Sequence, residues 1–537
     1  MILSFNYATP SVFESTRDAA LLGLSADAGR PVRFHATVER NVLSVRMALQ
    51  ALGQVVWSND EWRSEADFFW TLDPIITVHP DRVFFEAFSQ DQSAYGLVIV
   101  DRDNFTPEGD VQTGTTNVDF TTWLWSALAE MRSSRRTRFR IGAEGFEVST
   151  ASAGGRFEQK VEVPDDWVRG FLQLQAGMAL PGTRLSVRPV DLLSAIRFLR
   201  FTKARVSPRA LRFELEPDQD AALLLEPWEH RVPLVGAAHG YAEKRVIRTW
   251  GRRRLALLEP LLPFAERVDI YLKGRALPAF YAVKLPGVTF VLGLSGWTSN
   301  RWSGSGGFEL LASPLDNPGL RQAALRCLAQ RYALSTEEVA AALGVEKPEA
   351  ARALTALCAE GRAIFDVEAR TWRHRELFRE PADLERLYPP DPRRVEAERL
   401  EPAVRVASCA PRETRKVKRL KTPEGPITRE VVHRDWVVLG AVGGQPAVEV
   451  VLNDEQRLIF GRCGCDFFQD HLLNQGPCAH MLALLKVSEP LRKDTSTSKA
   501  ASAEALAQAP KPASGDRDAD GGDDDSLDAE EGDDDNS

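Results

Sequence analysis

The chain has 537 residues, of which 44% are hydrophobic and 27% charged, and its formal net charge is −9. This length exceeds what one hydrophobic core serves, and about three or four domains are expected at ~100–200 residues each. No stretch approaches the ~18 consecutive apolar residues of a membrane-spanning helix, and the first residues form neither a basic nor an apolar leader, so the sequence predicts a cytoplasmic protein.

The negative charge is concentrated at the C-terminal end. Residues 515–537 hold twelve acidic residues and one basic residue, a charge of −11, which leaves +2 for the remaining chain. A segment with so few apolar residues does not bury enough surface to offset the entropy of ordering. We therefore expect a disordered acidic tail over residues 488–537, attached to a body that is close to neutral.

The N-terminal half predicts an α+β fold built from two copies of one strand–helix unit. "RFHATVERNVLSVRMALQALG" begins at Arg33, and "RFEQKVEVPDDWVRGFLQLQAG" begins at Arg156. The offset of 123 residues also aligns Val45-Arg46 with Val168-Arg169. We predict unit A at residues 1–154 and unit B, with a strand and helix extension, at residues 155–315. Chance similarity is the alternative, because Val, Leu and Arg are common in this chain.

Residues 316–380 predict three short helices and a two-stranded hairpin. Ser335 and Glu338 have the spacing of a capping box, and Gly344 ends that helix. This pattern resembles the winged helix-turn-helix fold, with a basic wing at Arg370, Arg373 and Arg375. The exposed positions of the third helix hold more acidic than basic residues, which disfavours insertion into a DNA groove. They are Glu346, Lys347, Glu349, Arg352, Thr355 and Glu360.

Residues 381–425 lack apolar periodicity, and we predict a linker there that ends in a basic run. Four of its residues are candidate phosphate contacts, namely Arg415, Lys416, Lys418 and Arg419. Such a run neutralises phosphates and releases counterions on nucleic-acid binding. The alternative is a solvated linker, and no aromatic residue is interleaved for base stacking.

Residues 426–487 predict three alternating strands followed by one helix, and they hold three of the six cysteines. Cys463 and Cys465 stand at a strand end, and Cys478 and His480 stand at a helix start. Three sulfurs and an imidazole form a closed tetrahedral ligand set for one structural Zn²⁺. One alternative is that His433 or His471 is the fourth ligand in place of His480. The other is that the four residues bind no metal and the cysteines are simply reduced thiols. We expect Cys327 and Cys358 to pack in helical cores, and Cys409 to lie alone in the linker.

The Cys-x-Cys and Cys-x-His pairs, preceded by a β-hairpin and followed by "PCAHMLALL", resemble the SWIM zinc-finger family over residues 426–486. The resemblance implies zinc binding and a role in binding DNA or protein. The whole chain more loosely resembles bacterial SWIM-containing proteins encoded beside AAA+ ATPases and von Willebrand A domain proteins. That resemblance implies an adaptor role and a protein partner of that kind.

No sequence motif indicates catalysis: the chain has no Gly-rich phosphate loop and no His-Glu-x-x-His, and "LGLSGW" lacks the spacing of a nucleophile elbow. We therefore expect a non-enzymatic, zinc-binding adaptor that binds a protein and, as a further ligand, nucleic acid. The alternative is a DNA-binding regulator in which the winged helix and the SWIM module act together.

Overall fold

The structure is a computed structural model, and it describes most of the chain up to residue 497. The tail predicted at residues 488–537 lies outside the described residues from residue 498 onward. The described chain divides into two compact units, the first ending at Leu387 and the second beginning at Tyr388. The described residues are 2–7, 11–27, 29, 32–58, 74–118, 122–143, 157–162, 165–179, 182–206, 209–241, 244–273, 278–295, 318–378, 387, 392–422, 425–452, 458–471 and 477–497.

The first unit mixes helices and strands, and together with the second unit it gives a multi-domain α/β protein with several sheets. Its helices are α1 (Val42–Val56), α2 (Thr122–Ala127), α3 (Asp165–Ala179), α4 (Pro189–Phe201), α5 (Pro318–Arg331), α6 (Thr336–Leu343) and α7 (Lys347–Ala359). Its strands are β1 (Ile2–Tyr7), β2 (Val12–Ser15), β3 (Ala19–Ser25), β4 (Phe34–Val38), β5 (Ile75–Val78), β6 (Arg82–Phe88), β7 (Ala94–Asp101), β8 (Phe105–Pro107), β9 (Gly114–Asn117), β10 (Arg136–Gly142), β11 (Phe157–Glu162), β12 (Thr183–Val187), β13 (Leu211–Leu215), β14 (Ala222–Leu225), β15 (His230–Pro233), β16 (Arg245–Thr249), β17 (Arg267–Leu272), β18 (Ala279–Leu285), β19 (Val288–Leu294), β20 (Ala333–Leu334), β21 (Ala363–Asp366) and β22 (Thr371–His374).

An eight-stranded antiparallel sheet forms the centre of the first unit, in the order β12-β17-β18-β19-β7-β6-β5-β9. Every residue of β18 and β19 is buried, because both strands are nearly continuous apolar runs covered on both faces. The turn between them needs Gly287, which has φ +66° and where a Cβ atom would lie 2.5 Å from Oδ1 of Asn104.

The first unit also contains smaller sheets. A five-stranded sheet has the order β2-β3-β10-β4-β8, with β3 and β10 parallel. A four-stranded sheet has the order β15-β14-β13-β16, and β1 pairs with β11. No helix among the described residues combines the length and the apolar character needed to cross a membrane.

The two segments predicted as repeats each contain a strand followed by a helix. These are β4 with α1, and β11 with α3. Helix α1 packs on β6, β7 and β19 of the central sheet, whereas α3 contacts α7 and β21. Helix α3 also reaches β6, because the ring of its Phe171 lies 4.5 Å from the ring of Phe88. These contacts do not decide the duplication, which remains a prediction.

The helices and hairpin predicted over residues 316–380 are present as α5–α7 and a three-stranded sheet of order β20-β22-β21. The capping box is formed: the backbone N–H of Glu338 donates to the Ser335 hydroxyl, and the Glu338 side chain accepts from the Ser335 backbone. Cys358 is buried in the core of this three-helix module and Cys327 packs against it, as predicted. The assignment to the winged-helix fold remains a prediction.

The second unit is a four-stranded antiparallel sheet covered by helices. Its elements are α8 (Pro392–Leu400), β23 (Val404–Thr422), β24 (Gly425–Val442), β25 (Gln445–Leu452), β26 (Leu458–Arg462), α9 (Asp466–His471) and α10 (Ala479–Thr497). The sheet order is β23-β24-β25-β26. Helix α10 packs on the sheet and α8 packs on α10. At Gly440 a Cβ atom would lie 2.7 Å from Leu484 of α10, so this glycine allows the close approach of helix and sheet.

The structure differs from the linker predicted over residues 381–425. Residues 392–400 form α8, and residues 404–422 form β23 at the edge of the sheet. The strand was not predicted because its Arg and Lys residues and Pro411 give no alternating apolar pattern. These residue types are typical of edge strands, where they prevent pairing with another chain. Cys409 therefore lies in a strand, packed against the core of the second unit.

The predicted start of the tail at residue 488 also differs, because α10 continues to Thr497 through Pro490. The proline removes one backbone donor from the helix. Close to this proline, the Ser488 hydroxyl and the Arg492 guanidinium both donate to the Leu485 carbonyl, at 3.1 and 2.8 Å.

Candidate metal centre

The four predicted zinc ligands lie at the end of one strand and at the starts of two helices in the second unit. Cys463 directly follows β26, and Cys465 directly precedes α9. Cys478 directly precedes α10, and His480 lies in the first turn of that helix. Each helix begins on a cysteine, because the Cys465 carbonyl accepts from the Gln469 backbone N–H and the Cys478 carbonyl accepts from the Leu482 N–H, both at 3.0 Å.

The four side chains converge. The three Sγ atoms and one imidazole nitrogen of His480 all lie within 4.8 Å of one another. Ligands bound tetrahedrally at ~2.3 Å would be about 3.7 Å apart, so a small contraction of the cluster suffices to enclose an ion. All three cysteines are free thiols rather than disulfides.

Two of the four ligands are shielded from water. Cys463 and Cys478 are each 1% exposed, while Cys465 and His480 are half-buried. Burial raises the pKa of the Cys463 thiol to about 12, and burial also raises the pKa of Cys478. Burial lowers the pKa of His480, which favours the neutral form of its imidazole. A divalent cation would reverse this preference and hold the thiols as thiolates.

The donor set fits a zinc ion. The buried Nδ1 atom of His480 has no hydrogen-bond partner among the described residues, so no hydrogen bond there would compete with coordination of a metal ion. Three sulfurs and one imidazole are the ligands of closed structural zinc sites. The alternatives His433 and His471 lie on β24 and at the end of α9, with side chains outside what the structure describes.

Neighbouring side chains hold the two ligand pairs in place. The Gln469 side-chain amide donates to the Cys463 carbonyl at 3.1 Å. The Arg393 guanidinium of α8 donates to the Pro477 carbonyl at 3.3 Å and lies 5.2 Å from the ring centre of Phe467. One arginine therefore contacts the segments that carry both ligand pairs, as partners of metal ligands commonly do. Arg393 lies in the predicted linker, and nothing in the sequence indicated its role.

The four candidate phosphate-binding residues lie on β23 rather than in a linker. In the register with β24, Arg415 is opposite Val432 and Lys416 is opposite Val431. Lys418 is opposite Arg429, and Arg419 is opposite Thr428. The structure thus places all four in one antiparallel hairpin. This hairpin precedes the metal ligands in the chain and contains none of them.

The predicted basic wing is wrong for two of its three arginines, because they are buried. Arg373 is 2% exposed and donates to both carboxylate oxygens of Asp81 at 2.9 Å. Arg375 is 1% exposed and bonds both oxygens of Glu86, at 3.1 and 2.8 Å. These ion pairs attach the three-helix module to the central sheet. Only Arg370 of the three is exposed.

The carboxylates on the sheet side of this junction were not singled out from the sequence. Glu86 is fully buried on β6 and also accepts from the Tyr95 hydroxyl at 2.6 Å. The signal was present, since a glutamate inside the apolar run "RVFFEAF" needs a partner when buried. The sequence did not reveal which cation supplies it.

No family model matches the chain, and no curated protein matches it. Among solved structures, Proliferating Cellular Nuclear Antigen from Entamoeba histolytica is similar at 10% identity and a TM-score of 0.32, covering 49% of this chain and 98% of that one. PCNA from Thermococcus kodakaraensis is similar at 12% identity and a TM-score of 0.31, covering 49% of this chain and 99% of that one. Likenesses this low lead to no conclusion about the fold or function of this chain.

Proposed function

We propose that this chain is a zinc-binding, non-enzymatic adaptor whose second unit binds a protein partner, with nucleic acid as a further ligand. The observation that carries the proposal is the convergence of Cys463, Cys465, Cys478 and His480 within 4.8 Å. With four protein ligands the ion has no open position for water or substrate, so its role is structural. By binding both ligand pairs, zinc would connect the end of β26, which Cys463 directly follows, to the start of α10, which carries His480.

The binding role is supported by the resemblance to SWIM zinc fingers, which implies contact with protein or DNA. The looser resemblance to bacterial SWIM-containing proteins points to a partner of the AAA+ ATPase or von Willebrand A domain class. The alternative, a regulator that reads DNA with its winged helix and SWIM module together, has less support, because Arg373 and Arg375 are engaged in buried ion pairs.

Affinity purification tests the proposal. The full chain, purified with zinc and reducing agent, should retain a specific protein at stoichiometric amounts, identified by mass spectrometry. A Cys463→Ser variant should lose the zinc and the partner together, whereas Cys327→Ser, in the first unit, should keep both. A partner retained equally by the zinc-free variant would refute the dependence of binding on the metal module.

A further inference from the structure

Strands β23 and β24 continue as a two-stranded ribbon beyond the sheet of the second unit. They pair with each other from Val404–Val442 to Thr422–Gly425. Strand β25 pairs with β24 only along Trp436–Val442. Beyond that point, at residues 412–422 and 425–435, neither edge of the ribbon is paired with another strand of the described chain.

The ribbon has the dimensions of a groove-binding element. Eleven residues per strand at ~3.4 Å each give a length of about 37 Å, with the two strands ~4.8 Å apart. The major groove of B-form DNA is about 12 Å wide and admits a two-stranded β-ribbon. A ribbon of this length matches about one turn of the double helix, which rises ~34–36 Å.

The far part of the ribbon is strongly basic. The paired residues 414–422 and 425–433 contain one acidic residue, Glu430, and six basic ones. The basic residues are Arg415, Lys416, Lys418, Arg419, Lys421 and Arg429. Lys418 and Arg429 are directly opposite in the register, an arrangement of like charges that destabilises a strand pair. A polyanion would remove that repulsion.

This extension of β23 and β24 does not contribute to the stability of the second unit in any evident way. Isolated two-stranded hairpins are marginally stable in water, and basic residues here add repulsion to the lack of a third strand. Charged edges also oppose pairing with a second copy of the chain. We propose that the ribbon enters the major groove of duplex DNA and that its Lys and Arg residues contact the phosphates. The inference extends the proposed function by naming the nucleic-acid ligand, and it does not depend on the protein partner.

Other nucleic acids fit less well. The major groove of A-form RNA is too deep and narrow for protein elements. Single strands are bound by stacking bases on aromatic side chains, and residues 411–435 contain no Phe, Tyr or Trp. Duplex DNA is therefore the expected ligand, with duplex RNA and single-stranded DNA as comparison probes.

Salt-dependent binding of the full zinc-loaded chain to a 20-base-pair DNA duplex tests the proposal by fluorescence anisotropy. The test variant carries Arg415→Gln, Lys416→Gln, Lys418→Gln and Arg419→Gln. The control loses the same charge from exposed positions of the first unit, through Arg132→Gln, Arg197→Gln, Arg200→Gln and Arg205→Gln. Zinc content and thermal unfolding report whether each variant is folded.

The wild type and the control should bind duplex DNA better than duplex RNA or single strands. The ribbon variant should show a slope of log K against log salt shallower by about 3.6, at 0.9 for each lost phosphate contact. Between 50 and 200 mM salt, its affinity should therefore fall about 150-fold less than that of the wild type. If the quadruple variant does not fold, Lys416→Gln and Lys418→Gln alone should each reduce the slope by about 0.9.

Equal slopes for the wild type and the ribbon variant would overturn the inference, as would an equal loss in the control or a preference for RNA or single strands. Failure here would leave zinc content and protein capture unchanged. Conversely, loss of the protein partner with intact DNA binding would refute the adaptor role and keep the ribbon assignment.

Discussion

At the scale of single residues, the metal cluster is defined by chemistry that a short stretch of sequence carries. Two pairs of ligands, each with one intervening residue, limit the possible arrangements, and the structure brings all four together. The orphaned Nδ1 atom of His480 and the buried thiols of Cys463 and Cys478 are otherwise costly, since buried polar groups are normally paired. Coordination to a metal ion would therefore compensate for the burial of these polar groups.

Cys478→Ser should reduce bound zinc from one equivalent per chain to less than half, because the serine hydroxyl is a far poorer ligand for this ion than a thiolate. Elemental analysis after chelator-free, reduced purification measures this. Cys358→Ser in the three-helix module is the matched control and should keep one equivalent. A wild-type chain with less than half an equivalent would contradict the metal assignment.

A second residue-scale prediction concerns the buried pair of Glu86 and Arg375, both fully buried at the side chain. Glu86→Ala leaves an uncompensated guanidinium in the core, and the expected loss of stability is about 3–5 kcal/mol. Glu130→Ala removes a 45% exposed carboxylate that pairs with Arg132 and Arg135, and this surface change should cost less than about 1 kcal/mol. Chemical denaturation of both variants measures the difference, and equal losses would show that Glu86 is not essential to the junction.

At the scale of elements, local patterns predicted those features that depend on neighbouring residues in the chain. The capping box of α6 and the strands of the metal module were both predicted from such patterns. The edge strand β23 was not, because its charged residues give no apolar period. The burial of Arg373 and Arg375 was not predictable either, since arginine is almost never fully buried unless tertiary structure supplies a partner.

The junction between the central sheet and the three-helix module should weaken in acid through His79. Its Nε2 atom lies 2.7 Å from the His374 carbonyl, and burial, aided by Arg373, lowers the pKa of His79 from 6.5 to about 4. The unfolded chain therefore takes up the proton first, and this contribution to stability is complete above pH 6.5 and lost as the pH falls towards 4. The maximum loss is about 3 kcal/mol, at 1.36 kcal/mol per pKa unit.

Denaturation of the wild type and of His79→Gln between pH 7 and pH 4 measures this effect. Glutamine retains an N–H donor for the carbonyl but does not titrate, so the variant should lose less stability on acidification than the wild type. His230→Gln, at an exposed position, is the control and should follow the wild type. The same pH dependence in all three proteins would exclude His79 as the sensor.

At the scale of the whole molecule, the division at residues 387 and 388 separates two cores of very different size. The core of the first unit is built on the central sheet and extends through several further sheets. The second unit has a small core, in which two of the metal ligands, Cys463 and Cys478, are themselves members. Small domains are marginal without a disulfide or a metal, so the second unit should depend on zinc and the first should not.

Chelation should therefore unfold the second unit alone. Structural zinc contributes an apparent ~10–16 kcal/mol in small zinc-finger peptides near neutral pH, more than a core of this size supplies. Because α8 and β23 pack with α10, the zinc-dependent segment should begin near residue 388 and include β23, in addition to residues 426–486. Limited proteolysis of the chelated chain should then cut within this segment and leave a stable fragment that ends close to the division at residue 388. The zinc-loaded chain should resist cleavage there, and equal resistance after chelation would show that the cysteine cluster does not hold this unit together.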